Sequence, residues 1–331
     1  MFTVSSLPIA ILFCVITMLG WGSWANTQKL AGKTEWPFEL YYWDYALGVF
    51  LFSILFALAL GGIGSPAEAG GSGWDAMATS AIGGALFSGA IFNVSNILLV
   101  VAIDAAGMSV AFPVGVGLAL VIGTVTSYLQ APKGNPATLA CGVGLVILAM
   151  VFSAIAYSKL PRKAGRGWAR GVAFAVIAGA LMGFFYPRLV ATISPGFNSG
   201  LMQPDFLSPY AALFWFAVGL LLSNVVVNTV FMKAGGKSYR EYFRGTAKLH
   251  ALGLLGGAIW MLALSLNVIA SGVAGPAISY ALGQGSTLVA AIWGVLIWKE
   301  FRAAPAGTAR FLYLMFAGYA MGLTFIGLAT Q

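Results

Sequence analysis

Asn93 and Asn96 stand three residues apart, and Asn224 and Asn228 four apart, each pair inside a long apolar run. Those spacings put both members of a pair on one face of a helix. A carboxamide offers a donor and an acceptor together. Such a face can therefore hold a neutral polar group where water is excluded. Tyr280 and Gln284, on a later run, join this set. The structural alternative for each amide is an interhelical hydrogen bond, a common use of Asn and Gln in membrane bundles. Pairing on one face in two separate runs favours ligand binding.

Aromatic residues form a second set. Trp21, Trp24 and Gln28 follow a three-then-four spacing on the first run, and Trp260 lies in the middle of another. Their faces can stack on a planar ring or on the face of a sugar. The bland alternative is the interfacial belt where Trp and Tyr collect. That alternative is expected to account for Tyr41, Tyr42, Trp43 and Trp168, and it suits Trp260 poorly. A third set would bend or open helices: Phe112-Pro113, Tyr186-Pro187 and Gly275-Pro276. Gly115-x-Gly117 and Gly283-x-Gly285 would allow close helix contact.

Charge is nearly absent between these groups. Asp44 and Asp104 fall near one end of their runs and Arg188 near the opposite end, which makes them, with Tyr186, the candidates for gating or coupling. A phosphorylated ligand would need buried Lys or Arg, and a cationic one a buried carboxylate, so a neutral polar ligand is favoured. His250 is the only histidine, and Cys14 and Cys141 lie apart in apolar runs. That set forms no metal motif and no disulfide framework, and no cofactor is expected. A membrane-embedded enzyme would need a buried nucleophile with its base, or a metal cluster, so no enzymatic activity is expected.

The elements that must position these residues follow from composition. Of 331 residues 60% are hydrophobic and only 8% charged, where a soluble chain carries about 25% charged residues. The net charge of +8 sits in short loops between apolar runs, which argues for membrane topology and against nucleic acid. Residues 1–8 contain no Lys or Arg, so the first run reads as a retained membrane helix rather than a signal peptide.

Runs of roughly 20 apolar residues suffice to span a bilayer. They occur near 7–28, 43–63, 77–103, 106–129 and 137–157, then near 168–190, 208–232, 248–271, 275–298 and 308–330. Alternate loops place 15 of the 17 Lys and Arg on one side and only Lys133 and Arg188 on the other. Lys29, Lys33, Arg162, Lys163 and Arg166 are among the fifteen. Basic loops stay cytoplasmic, so both termini are expected outside, and the short loops fit a bacterial inner-membrane protein.

A shift of 168 residues (275 − 107) pairs Gly107 with Gly275, Gly115 with Gly283 and Gly117 with Gly285. The expected fold is an all-α membrane protein of about ten transmembrane helices in two five-helix repeats, residues 1–160 and 161–331. Five is odd, so the second repeat enters the membrane from the opposite side. Inverted repeats of this kind place a transported molecule near the midplane between them.

Several short motifs occur in a fixed order: Gly22-Ser23-Trp24, Trp43-Asp44-Tyr45, Asn96, Val121-Ile122-Gly123-Thr124 and Asn228-Thr229-Val230-Phe231. Gln284 ahead of Trp293-Gly294, then Lys299-Glu300-Phe301-Arg302, complete the series. From about residue 20 onward the chain thereby resembles the ureide permeases of the drug/metabolite transporter superfamily, and its ninth span resembles the glucose/ribose and rhamnose porters. It departs from the ureide permease pattern at Phe112, where the family carries an acid, at Arg188, and in a central loop reduced to 158–167. The resemblance implies alternating access, uptake of ureides or nucleobases such as allantoin and uracil, and a coupling proton. A monosaccharide or nucleoside is the alternative substrate. The partners expected are the substrate, that proton and the lipid bilayer.

Overall fold

A computed structural model describes residues 1–32, 36–61, 79–160, 167–200 and 202–330, the side chains of Met108, Ser109 and Phe112 excepted. Lys33, Arg162, Lys163 and Arg166 of the orientation count, and the Phe112 side chain, lie outside the described residues. The helices are α1 (Leu7–Ser23), α2 (Ala25–Ala31), α3 (Phe38–Leu60), α4 (Thr79–Ala106), α5 (Met108–Gln130), α6 (Pro136–Ser158) and α7 (Trp168–Val190). They continue as α8 (Pro209–Ala234), α9 (Tyr239–Tyr242), α10 (Ala247–Ala274), α11 (Pro276–Gly283), α12 (Ser286–Ile292) and α13 (Thr308–Leu328).

Among the described residues, ten segments are long and apolar enough to cross a membrane. One is α1 with α2, which meet at Trp24; another is α11 with α12 and the π-helical turn Trp293–Ile297. The expected all-α membrane fold is what is found. The second span begins at Phe38, not near 43, because Tyr41, Tyr42 and Trp43 do not form an outward belt. They are 0%, 0% and 9% exposed and pack inside the protein. Trp168 is 61% exposed, as a belt residue would be.

Each span has one apolar face for lipid and another for protein. On α8, Leu222, Val225, Val226 and Val230 are exposed, while Leu213, Phe216, Leu220, Asn224 and Asn228 are buried. The buried set follows the helical period, so both asparagines share the protein-facing stripe with Phe216. Local signals start the helices cleanly. Ser208 caps the Ala211 N–H with Pro209 at the first turn, and Asn135 caps Ala137 and Thr138 with Pro136 behind it.

The chain divides into two compact units, each drawing on both halves of the sequence. Unit 1 holds residues 1–94 and 188–273, and unit 2 holds residues 95–187 and 274–331.

Within unit 1 the repeat is visible in packing. Helices α4 and α10 begin 168 residues apart (247 − 79) and end 168 residues apart (274 − 106). Helices α3 and α8 begin 171 apart (209 − 38). A Cβ on Gly257 of α10 would collide with the Tyr45 carbonyl oxygen and stand 2.7 Å from the Val49 nitrogen. A Cβ on Gly89 of α4 would collide with the Phe216 carbonyl oxygen and stand 2.7 Å from the Leu220 nitrogen. Gly89 is the counterpart of Gly257, and Phe216 and Leu220 are the counterparts of Tyr45 and Val49. The α3–α10 pair and the α8–α4 pair are thus one packing unit used twice.

The two copies run in opposite directions. Contacts Phe38–Phe231, Phe50–Phe214 and Phe56–Tyr210 make α3 antiparallel to α8. The glycine contacts make α10 parallel to α3. Helix α4 runs parallel to α8, since Gly89 lies against Phe216 and Asn93 reaches Ser223. Helices α4 and α10 are therefore antiparallel, as an inverted repeat requires.

Unit 2 contains an antiparallel pair of its own. Gly142 of α6 lies against Gly322 and Ile326 of α13, and Gly318 lies against Ala149. Both glycines that join consecutive spans, Gly107 and Gly275, adopt positive φ of 79° and 89°. A side chain at either would be strained there, which explains why the repeat keeps glycine at both elbows.

Candidate functional site

Four rings in unit 1 surround Trp260, which is 5% exposed. Phe92 stacks on it with centroids 4.2 Å apart. Trp21 and Phe216 lie nearly parallel to it at 6.1 and 6.0 Å, each inclined by 19°. Tyr45 stands at 6.3 Å, and Trp24 packs on Tyr45 at 4.9 Å. The helices can approach closely enough for this because Gly20 meets Ala263 and the Thr17 hydroxyl donates to the Ala263 carbonyl at 2.9 Å. The structure thus gathers Trp21, Trp24 and Trp260, three candidates from two distant runs.

Polar groups accompany the rings. Asn93, next to Phe92, donates from Nδ2 to the Ser223 Oγ at 3.0 Å, while its Oδ1 has no partner among the described residues. Asn224, next to Ser223, is 0% exposed, and neither end of its amide has a partner among the described residues. Buried polar atoms are nearly always satisfied, and those that are not call for an explanation. Asn228 lies one turn from Phe231, near the end of α8, and donates to the Glu39 carbonyl at 3.0 Å, a structural bond that leaves Oδ1 without a partner among the described residues. The hydroxyl of Tyr45 and the indole N–H of Trp21 are also buried without a partner among the described residues.

The opposite character appears at the end of unit 1 that carries Lys29, Lys233 and Lys248. There the Asp44 carboxylate, 3% exposed, accepts from the Tyr242 hydroxyl at 2.7 Å and lies 2.9 Å from His250 Nδ1. When ionised, that carboxylate accepts from the Nδ1–H tautomer of His250. Trp36 closes the group, stacking on Tyr242 at 6.0 Å and meeting His250 edge-on at 5.2 Å. Burial raises the Tyr242 hydroxyl above the ordinary tyrosine pKa, and its hydrogen bond to Asp44 and that carboxylate's charge push it further. Tyr242 is held there by α9, whose Ser238 and Glu241 form a capping box. At the other end of unit 1, Arg188 lies over the Phe87 ring at 5.9 Å.

The remaining candidates belong to unit 2. The Tyr280 and Tyr186 rings are 4.9 Å apart, and the Tyr280 hydroxyl donates toward the Ala119 and Met182 carbonyls at 3.3 and 3.4 Å. Gly123 leaves room for that ring, since a Cβ there would lie 2.7 Å from Cζ. Gln284, 6% exposed, caps α11 at the interruption before α12 and bonds the Tyr280 side chain. Asn96 is 6% exposed, and Asp104 is exposed near the end of α4.

No family model matches the chain, and no curated protein does. A solved crystal structure, described only as that of a protein, matches 94% of this chain and 95% of its own at 17% identity and a TM-score of 0.53. That likeness is one of fold. With ten spans among its described residues, the chain is an integral membrane protein.

Sequence reasoning missed Phe92, Phe216, Tyr45 and Tyr242. Phe92 and Phe216 carried one available signal, since each precedes a candidate asparagine on the same helix. Tyr242 carried none, because its role depends on a contact with a residue 198 positions away.

Proposed function

We propose that the chain is a secondary transporter of the drug/metabolite transporter superfamily. It takes up a small, neutral, polar metabolite with a flat face, a ureide or nucleobase such as allantoin or uracil, by alternating access. The observation that carries this reading is Asn224, fully buried next to the Ser223 that binds Asn93, with neither end of its amide partnered among the described residues. A buried amide left unpaired costs about 1–3 kcal/mol, and a ligand with an N–H beside a C=O would satisfy both ends at once. Trp21, Trp24 and Trp260 supply faces for a flat ring, and Asn93 supplies a further acceptor. Within unit 2, Asn96, Tyr280 and Gln284 are assigned to substrate binding on their sequence pattern. The process involves binding and release and no catalytic step.

Asp44, held by His250 and Tyr242, is the group assigned to carry a coupling proton, with Asp104, Tyr186 and Arg188 in gating. The membrane is taken to be a bacterial inner membrane with both termini outside, on the fifteen-to-two division of basic residues. A second reading, a monosaccharide or nucleoside as cargo, is favoured by the amide and hydroxyl grouping of Asn93, Ser223 and Asn224. A thermal-shift screen of the purified protein against ureides, nucleobases, nucleosides and sugars separates them. A ligand at 100 times its Kd adds about 2.7 kcal/mol to the folded state. Stabilisation by allantoin or uracil supports the leading reading; stabilisation by sugars alone sinks it.

A further inference from the structure

Phe92 and Trp260 are 168 residues apart (260 − 92), the interval that relates α4 to α10 and Gly89 to Gly257. They are each other's counterparts in the repeat. Their rings also touch, with centroids 4.2 Å apart and planes inclined by 29°. Counterparts related by a two-fold operation meet only where its axis passes between them. The contact therefore marks the pseudo-two-fold axis of unit 1. The neighbouring rings obey the same operation: Tyr45 lies 6.3 Å from Trp260, and its counterpart Phe216 lies 5.9 Å from Phe92.

We propose that Phe92 and Trp260 form the seat of the substrate's planar ring, parting to hold it between their faces on that axis. The inference rests on the transport reading above and adds a second wall to it. In inverted-repeat transporters the site lies at the interface of the repeats, near the midplane. A guest on the axis touches one member of each repeat. When the repeats exchange conformations, its surroundings exchange with them and keep the same chemistry.

The geometry sets the size of the motion. A flat guest needs about 3.5 Å to the ring on either side, so the centroids must separate to about 7 Å from the present 4.2 Å. Each ring lies one turn beyond a glycine that seats its helix on backbone, Gly257 against α3 and Gly89 against α8. The parting is therefore a movement of two helix pairs, with the rings carried along. Both faces are kept dry, at 3% and 5% exposure, where stacking is undiluted by water.

The test compares wild type with Phe92→Leu, which keeps apolar bulk but removes the ring face, and with Trp260→Phe, which keeps a ring. Thermal shifts and proteoliposome uptake are read with uracil and with glucose as probes. Loss of one stacking wall is expected to weaken uracil binding about tenfold or more in Phe92→Leu, with an unliganded melting point close to wild type. Trp260→Phe is expected to retain most of the response. If Phe92→Leu does not fold, Phe92→Met, more adaptable in shape, takes its place with the same expectation. A wild-type response to uracil that Phe92→Leu or Phe92→Met preserves overturns the seat and leaves the transport reading standing. A wild type that responds to glucose and not to uracil overturns both.

Discussion

Gly257→Ala and Gly89→Ala should destabilise the protein by matched amounts, whereas Gly83→Ala should not destabilise it at all. The added methyl at Gly257 would stand 2.7 Å from the Val49 nitrogen and closer still to the Tyr45 carbonyl, and at Gly89 it would meet Leu220 and Phe216 in the same way. Ordinary contact begins near 3.4 Å, so each helix pair must separate by about 0.7 Å or more. Both obstacles are backbone atoms, which cannot turn aside. Overpacking of this kind costs about 1–3 kcal/mol, and the upper part of that range applies here. Replacing a helical glycine by alanine returns about 1 kcal/mol in propensity, leaving a net loss of about 2 kcal/mol at either site. A Cβ on Gly83 meets nothing within 4 Å, so only the gain of about 1 kcal/mol remains there. The expected gap between Gly83→Ala and either of the others is about 3 kcal/mol, or about 6 °C at about 2 °C per kcal/mol. Melting of the purified variants in one detergent reads it directly. Three equal melting points would refute the close-packing argument. A loss at Gly257 without one at Gly89 would refute the equivalence of the two helix pairs.

Asn224→Leu removes the unpaired buried amide at similar volume, so unliganded stability should hold or rise by about 1–3 kcal/mol while uptake is lost; lower stability would mean that the amide serves the fold. Tyr242→Phe removes the donor to Asp44 and should cost about 1 kcal/mol near neutral pH. Because the folded pKa of Tyr242 is raised, its contribution is whole below the ordinary value of about 10 and declines as pH rises beyond it. Melting curves of wild type and Tyr242→Phe should therefore converge above about pH 10, and a constant gap across that range would remove the hydroxyl from this role.

The spans were legible because hydropathy over roughly 20 residues is a local property of the chain. The repeat was legible because glycines at the elbows and contact points recur with a fixed interval, and the geometry at Gly107 and Gly275 shows why each must be glycine. The aromatic site was half legible. Trp260 stood out for its place far from either interface, while Phe92 looked like any apolar residue in a lipid-bound helix. Tyr41 and Tyr42 were misread as belt residues, since position along a helix gives its depth and not the direction a side chain faces.

Sequence alone thus determined the class of protein, the number of spans, the internal repeat and the near absence of charge from its interior. Tertiary structure alone decided that Asp44 meets His250 and Tyr242, that Asn224 is buried without a partner among the described residues, and that Phe92 touches its own counterpart. The reason is physical. Periodicity and hydropathy act between residues a few positions apart, whereas these contacts join residues 168 to 206 positions apart in the chain.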